Sequence, residues 1–182
     1  MVTIDLYENG NTSNGMLGSR DLGVEINRDA KTTLYPFTDY FQGFDKVPGI
    51  IALFGGKTKE ILERLRVEFY SSKFGYMGVS DEDGHIMISS HHLKTADFSV
   101  LYLDLFHELH HVKQFLDGKK IYLFEYEYVD SPVEIEAYLA TVQEAKRIGF
   151  SDDEIKEYLK IEWISDEQHQ RLVKKMGLDP KN

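Results

Sequence analysis

The stretch DLFHELHHVKQF, residues 104–115, is the most informative segment of this sequence. It holds three of the chain's seven histidines within five residues, and His107 to His111 fit the pattern His-Glu-x-x-His. Side chains four positions apart lie on the same face of an α-helix. If the segment is helical, the imidazoles of His107 and His111 therefore lie side by side, with Glu108 about 100° further around the helix.

The residues around this pattern predict a long helix. Thr95, Ala96 and Asp97 are typical of a helix start, Gly118 is typical of the position just past a helix end, and the helix is expected to run to Asp117. Apolar residues at helical spacing form a stripe opposite the histidines: Leu101, Leu105, Leu109, Val112 and Leu116. Others flank the histidine side: Val100, Leu103 and Phe115. A helix that is apolar on both sides is predicted to be central and buried.

Two histidines and a glutamate on a buried face need partners, because unpaired buried charge is costly. A zinc ion is one such partner, since zinc sites use histidines at this spacing and Glu108 is then placed to act on a water held by the metal. The alternative is a metal-free cluster of imidazoles that are hydrogen-bonded inside a groove.

An open zinc site needs a third protein ligand. Asp117 is rejected, because a ligand six residues after His111 requires the helix to break at a glycine, and Gln114 stands there instead. Glu134 and Glu136 remain, about 200° apart on a later predicted helix. Glu136 lies on the polar face, whereas Glu134 lies on the face of Ala137, Tyr138, Thr141, Ala145 and Ile148. Glu134 is the preferred ligand and Glu136 the second choice, although Ser131 with Glu134 also fits a helix capping box.

Composition narrows the classes of protein. The chain has 182 residues, 42% of them hydrophobic, a net charge of −10 and no cysteine. These values predict a folded protein without disulfides or cysteine-ligated metals, and they disfavour nucleic acid as a partner. The N-terminal stretch MVTIDLYENG resembles no secretory signal and no apolar run is long enough to span a membrane, so we expect no membrane association and a cytoplasmic location.

The rest of the chain predicts an α+β fold, with a small antiparallel sheet packed on a helical core. Residues 76–90 alternate around a turn at Gly84, which predicts a hairpin, and residues 8–21 contain two Asn-Gly turns. Residues 57–69 are predicted to be a helix and residues 120–129 a strand or extended segment. Pro132 should open the helix of Glu134, and two capped helices should follow, at Ser151 and Ser165. We expect one domain, 1–182, with an irregular or strand-rich part at 1–50 and a helical extension at 150–182.

With these residues the sequence resembles the gluzincin class of zinc metallopeptidases, above all its small members, the minigluzincins and the ImmA/IrrE-like proteins. The shared features are HELHH, the motif Glu134-x-x-Ala137 and the strand GHIMISS, and they span about residues 77–140. The resemblance implies one zinc ion per chain, bound by His107, His111 and Glu134, with Glu108 as general base. It also implies that the strand lines the cleft and pairs with an extended peptide.

The expected activity is zinc-dependent hydrolysis of a peptide or protein substrate. Many relatives have Asp or Asn where Tyr138 stands, so support for a zinc-binding histidine is expected from Asp104 instead. Tyr138 is the first candidate to stabilise the developing oxyanion, followed by His110, His91 and His92. A C-terminal latch that carries His169 is a further hypothesis. The alternative function is a zinc-binding but inactive protein that acts as an interaction or regulatory module.

Overall fold

The computed structural model describes residues 22–73 and 75–178, and these residues form an α+β fold around one hydrophobic core. The predicted fold class is confirmed. The two Asn-Gly turns predicted within residues 8–21 lie outside the described residues.

The strands form two sheets. Their bounds are β1 Glu25–Ile26, β2 Leu34–Pro36, β3 Phe41–Gln42, β4 Arg66–Tyr70, β5 Met77–Val79 and β6 Ile86–Ser89. Strands β1 and β3 form an antiparallel pair, and the larger sheet has the order β2-β4-β6-β5. In the larger sheet β4 and β6 are parallel, with Val67 opposite Ile86, so this sheet is mixed and not purely antiparallel as predicted.

The predicted hairpin is formed by β5 and β6. Gly84 closes its turn with a positive φ of 78°, and its amide donates to the carbonyl of Ser80 at 3.0 Å. Any Cβ at this position would also meet the ring of Phe115. One expectation is wrong: β6, the GHIMISS strand, pairs with β4 on one side and β5 on the other, so it has no free edge for a peptide.

The helices are α1 Phe37–Tyr40, α2 Pro48–Phe54, α3 Thr58–Arg64, α4 Ser90–Thr95, α5 Phe98–Leu116, α6 Pro132–Arg147, α7 Asp152–Tyr158 and α8 Asp166–Lys175. The helix predicted over residues 57–69 ends at Arg64 and becomes strand β4, because Val67 and Phe69 alternate into the core from a sheet. The capping boxes at Ser151 and Ser165 are both present.

Helix α5 is the central helix that the sequence predicted. It begins after Asp97, although the Asp97 side chain makes no capping hydrogen bond, and it ends at Asp117, followed by Gly118 with a φ of 75°. Nearly all its side chains from Ser99 to Val112 are buried. It packs against α6 on one side and against β5 on another, which places its histidines inside the protein.

Residues 120–129, predicted to be a strand or extended segment, do not form a strand. Among the described residues no backbone pairs with this segment, which consists of turns and a short 3₁₀ turn at Tyr128–Asp130. Its aromatic side chains are used individually: Tyr122 donates to the carbonyl of Val79 at 2.6 Å, and the Tyr128 hydroxyl lies 2.9 Å from that of Tyr138. Within the described ranges, no helix has the length and apolar character that crossing a membrane requires.

Candidate metal centre

Helices α5 and α6 bring three potential metal ligands together. His107 and His111 lie one turn apart on α5, and Glu134 lies in the first turn of α6, which begins at Pro132. All three side chains are buried. The Nε2 atoms of His107 and His111 are 3.0 Å apart. Glu134 Oε2 lies 3.3 Å from His107 Nε2 and 3.5 Å from His111 Nε2.

These distances match a tetrahedral metal site. Zinc bonds of about 2.0–2.1 Å to nitrogen and oxygen imply a separation of about 3.3 Å between any two ligand atoms. Glu134 Oε2 is buried without a hydrogen-bond partner in the described residues, as expected where a ligand atom faces a cation. Two imidazole nitrogens and a carboxylate oxygen therefore fit a zinc ion with one open position, and the same donor set suits several divalent first-row metals.

The close contact of the three side chains also shifts the pKa values of Glu134 and His111. Burial raises the pKa of Glu134, but contact with the imidazoles of His107 and His111 outweighs burial and holds this pKa far below its usual value. Burial lowers the pKa of His111, whereas Glu134 and Glu108 raise it, to about 9 overall. The metal-free site thus holds a carboxylate against a protonated imidazole, and a metal ion would replace that proton.

Gln114 orients one of the histidines, a role that the sequence analysis did not assign. Its Oε1 accepts from His111 Nδ1 at 2.8 Å, which leaves His111 Nε2 free to face the other ligands. Its Nε2 donates to the carbonyl of Val133 and to Glu136, each at 3.0 Å. The only signal in the sequence is its position three residues after His111, on the same helical face.

Glu136, the second choice as ligand, lies outside the cluster. Its carboxylate pairs with Lys119 at 2.7 Å and is about half exposed. The capping-box alternative for Glu134 is also wrong, because the side chain of Ser131 makes no capping bond and its hydroxyl has no partner within the described ranges. Glu134 is turned toward α5 instead of the start of its own helix.

Glu108, the expected general base, is buried on the wall of a cavity of about 480 Å³ that His107 also lines. Burial raises the pKa of Glu108 above its usual value, although the nearby imidazoles of His111 and His107 oppose the rise. A carboxylate with a raised pKa accepts a proton more readily near neutral pH, which is the property a general base needs.

Tyr138, the first oxyanion candidate, lines the same cavity, and its ring centroid lies 4.3 Å from that of His107. Burial raises the pKa of Tyr138 well above its usual value, so the phenol stays neutral and can donate a hydrogen bond. Its hydroxyl also lies 2.9 Å from that of Tyr128, with which a substrate oxygen would compete.

The other oxyanion candidates have different surroundings. His92 lines the cavity, with its Nε2 2.7 Å from Asp104. His110 is buried on the far side, where its Nε2 lies 3.8 Å from Glu136, and burial lowers its pKa to about 4. His91 is exposed.

Asp104 does not support His107 as expected. Its carboxylate faces His92 of α4 and accepts from the Tyr158 hydroxyl of α7 at 3.0 Å, while His107 Nδ1 has no partner among the described residues. His169 is not part of a latch over the metal either, since its Nε2 contacts the carbonyl of Lys156 at 2.9 Å. Its neighbours Glu162 and Trp163 do line the cavity.

No protein-family model, curated protein or solved structure matches this chain. The resemblance to gluzincins therefore stays a prediction that depends on the HELHH motif. The buried cluster of His107, His111 and Glu134, spaced as in a His-Glu-x-x-His metal site, is what the structure adds to it.

Proposed function

We propose that this chain is a zinc-dependent metallopeptidase that hydrolyses peptide bonds in a peptide or protein substrate. The observation that carries the proposal is the position of Glu108. It adjoins the three converging ligands, it is buried, and it faces a cavity large enough for substrate side chains. A structural histidine cluster has no need of an unpaired glutamate at the wall of such a cavity.

The residues divide the work as follows. His107, His111 and Glu134 would hold a zinc ion, which would act as a Lewis acid that makes bound water more acidic and polarises a peptide carbonyl. Glu108 takes a proton from the attacking water and then delivers it to the leaving nitrogen. Tyr138 donates a hydrogen bond to the carbonyl oxygen as negative charge develops there, after its hydroxyl turns away from Tyr128.

The metal content of the purified protein tests whether the chain binds zinc. Protein purified without a metal-binding tag should contain about one zinc per chain by elemental analysis. Absence of metal, with none retained after zinc is added and excess removed, would contradict the proposal and favour a packed histidine cluster.

The activity of a matched pair of variants tests whether Glu108 is the general base of a peptidase. Glu108→Gln should keep zinc and lose at least ~10²-fold in kcat/KM on a mixed fluorogenic peptide library, because general-base catalysis contributes ~10²–10⁴-fold. Glu136→Gln, a nearby glutamate outside the cluster, should keep both zinc and activity. Full activity of Glu108→Gln would rule out this mechanism.

A zinc-binding but inactive protein is the second candidate function. It is favoured by two observations: His107 Nδ1 lacks a hydrogen-bond partner in the described ranges, and the Tyr138 hydroxyl already contacts that of Tyr128. Full zinc occupancy without hydrolysis of any library peptide would support this candidate over the peptidase.

A further inference from the structure

The cavity beside the candidate metal centre is lined mainly by aromatic and acidic side chains. His107 and Glu108 of α5 line it, together with the segment that joins α7 to α8. Six aromatic side chains line it: Tyr76, Tyr128, Tyr138, Phe150, Tyr158 and Trp163. Trp163 stands between two of them, with ring centroids 5.4 Å from Tyr76 and 5.9 Å from Tyr128. A group entering the cavity therefore passes between aromatic rings.

The charged side chains around the same cavity are nearly all acidic. Six carboxylates line it: Asp97, Asp104, Glu108, Glu154, Glu157 and Glu162. Lys160 is the single lysine or arginine among the described lining residues, which also include His92 and His107. Most of these carboxylates lie at the rim, where Glu157 and Glu162 are exposed, whereas Asp104 and Glu108 lie deeper.

Glu108 shows independently that the deep end is built for a ligand. Its side chain is more than nine-tenths buried, it faces the cavity, and no described residue donates a hydrogen bond to it. Asp104, by contrast, has partners in His92 and Tyr158, which hold its carboxylate in one orientation toward the cavity. Burial of a carboxylate without a donor from the chain is costly, and a water or an incoming donor or cation in the cavity compensates that cost.

We propose that this cavity binds a positively charged side chain, lysine or arginine, of the peptide substrate. The inference depends on the proposed function for its substrate, and it names the class of residue selected next to the cleaved bond. Aromatic faces attract a cation through their ring electrons, and carboxylates attract it more strongly in a partly dehydrated cavity than in water. A neutral side chain would cover the same carboxylates without compensating their lost hydration, and an acidic one would be repelled.

Trp163 offers a direct measurement of binding, because it is the only tryptophan of the chain. The experiment uses the wild-type chain in the presence of a chelator, so that bound peptides are not cleaved while Glu108 keeps its charge, and titrates it with acetyl-Ala-Arg-Ala-amide. The matched peptide carries citrulline, which has the shape of arginine without its charge. The arginine peptide should change Trp163 fluorescence with a Kd at least tenfold lower than that of the citrulline peptide. Equal affinities, or no fluorescence change with either peptide, would overturn the inference.

Variants at the rim locate the effect. Glu157→Gln and Glu162→Gln are exposed substitutions that should leave folding intact, and each should weaken binding of the arginine peptide about threefold or more without affecting the citrulline peptide. Glu167→Gln, an exposed carboxylate of α8 outside the cavity lining, is the control and should have no effect. If all three variants change the arginine affinity equally, the general negative charge of the chain is responsible and the inference fails.

Cleavage by the wild-type protein separates this inference from the proposed function. Selective binding of the arginine peptide without cleavage of any peptide would leave the cavity specificity standing and remove the peptidase. Cleavage of arginine and citrulline peptides with equal kcat/KM would contradict the cavity specificity and leave the peptidase function standing.

Discussion

Helices α5 and α6 are joined by two buried polar clusters, one toward each end of their contact. One is the candidate metal centre of His107, His111 and Glu134. The other consists of Tyr102 on α5 with Glu144 and Arg147 on α6. Both place a buried glutamate of α6 against polar side chains, so they can be compared directly.

The two glutamates differ in what faces them. Glu144 accepts hydrogen bonds from the Tyr102 hydroxyl and from Arg147, whose Nε and Nη2 lie 2.7 and 2.6 Å from its two oxygens. Glu134 Oε2 faces two imidazole nitrogens without a proper hydrogen bond. Glu144 faces an arginine that is always charged, whereas Glu134 faces only the protonated imidazole of His111, whose proton a metal ion could replace. Five predictions test this difference, in order of decreasing effect.

Removal of one imidazole should abolish metal binding. His111→Ala leaves two protein ligands, so zinc content should fall from about one per chain to near zero and zinc affinity by at least ~10³-fold, with loss of hydrolysis. Elemental analysis and competition with a chelator measure both. Glu144→Gln is the matched control and should retain zinc; equal zinc loss in both variants would mean that misfolding, and not ligand loss, is responsible.

The metal-free protein should lose stability as the pH rises. The pKa of His111 is raised to about 9 in the folded state, above its unfolded value of about 6.5, so the stability it contributes is complete below pH 6.5 and is lost as the pH approaches 9. The free energy of unfolding should fall by up to about 3 kcal/mol over this window. Urea denaturation with a chelator measures it, with His111→Gln as the reference that lacks this slope. Zinc-loaded protein should not show the slope, because zinc binds the neutral imidazole; an equal slope with and without zinc would contradict the assignment.

Glu144→Gln should destabilise the fold without changing zinc binding. The change removes the charge that Arg147 and Tyr102 share, and buried hydrogen bonds to a charged group contribute about 1.5–3 kcal/mol each. Since Arg147 is partly exposed, we expect a total loss of about 2 kcal/mol in urea denaturation. An unchanged free energy of unfolding would mean that the cluster is not a structural counterpart of the metal site.

Gln114→Ala should weaken zinc binding about tenfold, which is about 1.4 kcal/mol, because His111 loses the acceptor that orients it. Chelator competition measures the affinity. Gln114→Met, which keeps the length of the side chain without an acceptor oxygen, should weaken zinc binding as much as Gln114→Ala, and an unchanged affinity in Gln114→Met would show that packing, and not the hydrogen bond, is responsible.

Glu136→Gln should have the smallest effect. Its ion pair with Lys119 is about half exposed on both sides, and such pairs contribute about 0–1 kcal/mol. Zinc content should not change. A large loss of zinc would make Glu136 a ligand after all.

Much of the site could be predicted because it depends on local spacing. The i, i+4 separation of His107 and His111 places them on one face of any helix, and the apolar residues around Glu134 turn it toward a neighbour. Ser151 and Ser165 cap their helices through residues only three positions away. These features involve contacts within about one helical turn, where the order of residues alone specifies the geometry.

Other features were missed because they join residues far apart in the chain. Asp104 was expected to support His107, but His92 and Tyr158 hold it, and Gln114 received no role because the carbonyl of Val133 that fixes it lies on another helix. The aromatic residues 120–129 have a strand-like composition, yet among the described residues no strand pairs with them.

The sequence by itself determined the central helix, its two histidines, its adjacent glutamate and the position of the later glutamate on an apolar face, since periodicity acts over one or two turns. Only the tertiary structure decided that Glu134 reaches the histidines, that β6 is enclosed between two strands, and that acidic and aromatic side chains spread between Tyr76 and Trp163 surround one cavity. The reason is physical: these arrangements depend on how helices and strands pack across the core, and packing is settled by the shapes of distant side chains that meet only in the folded chain.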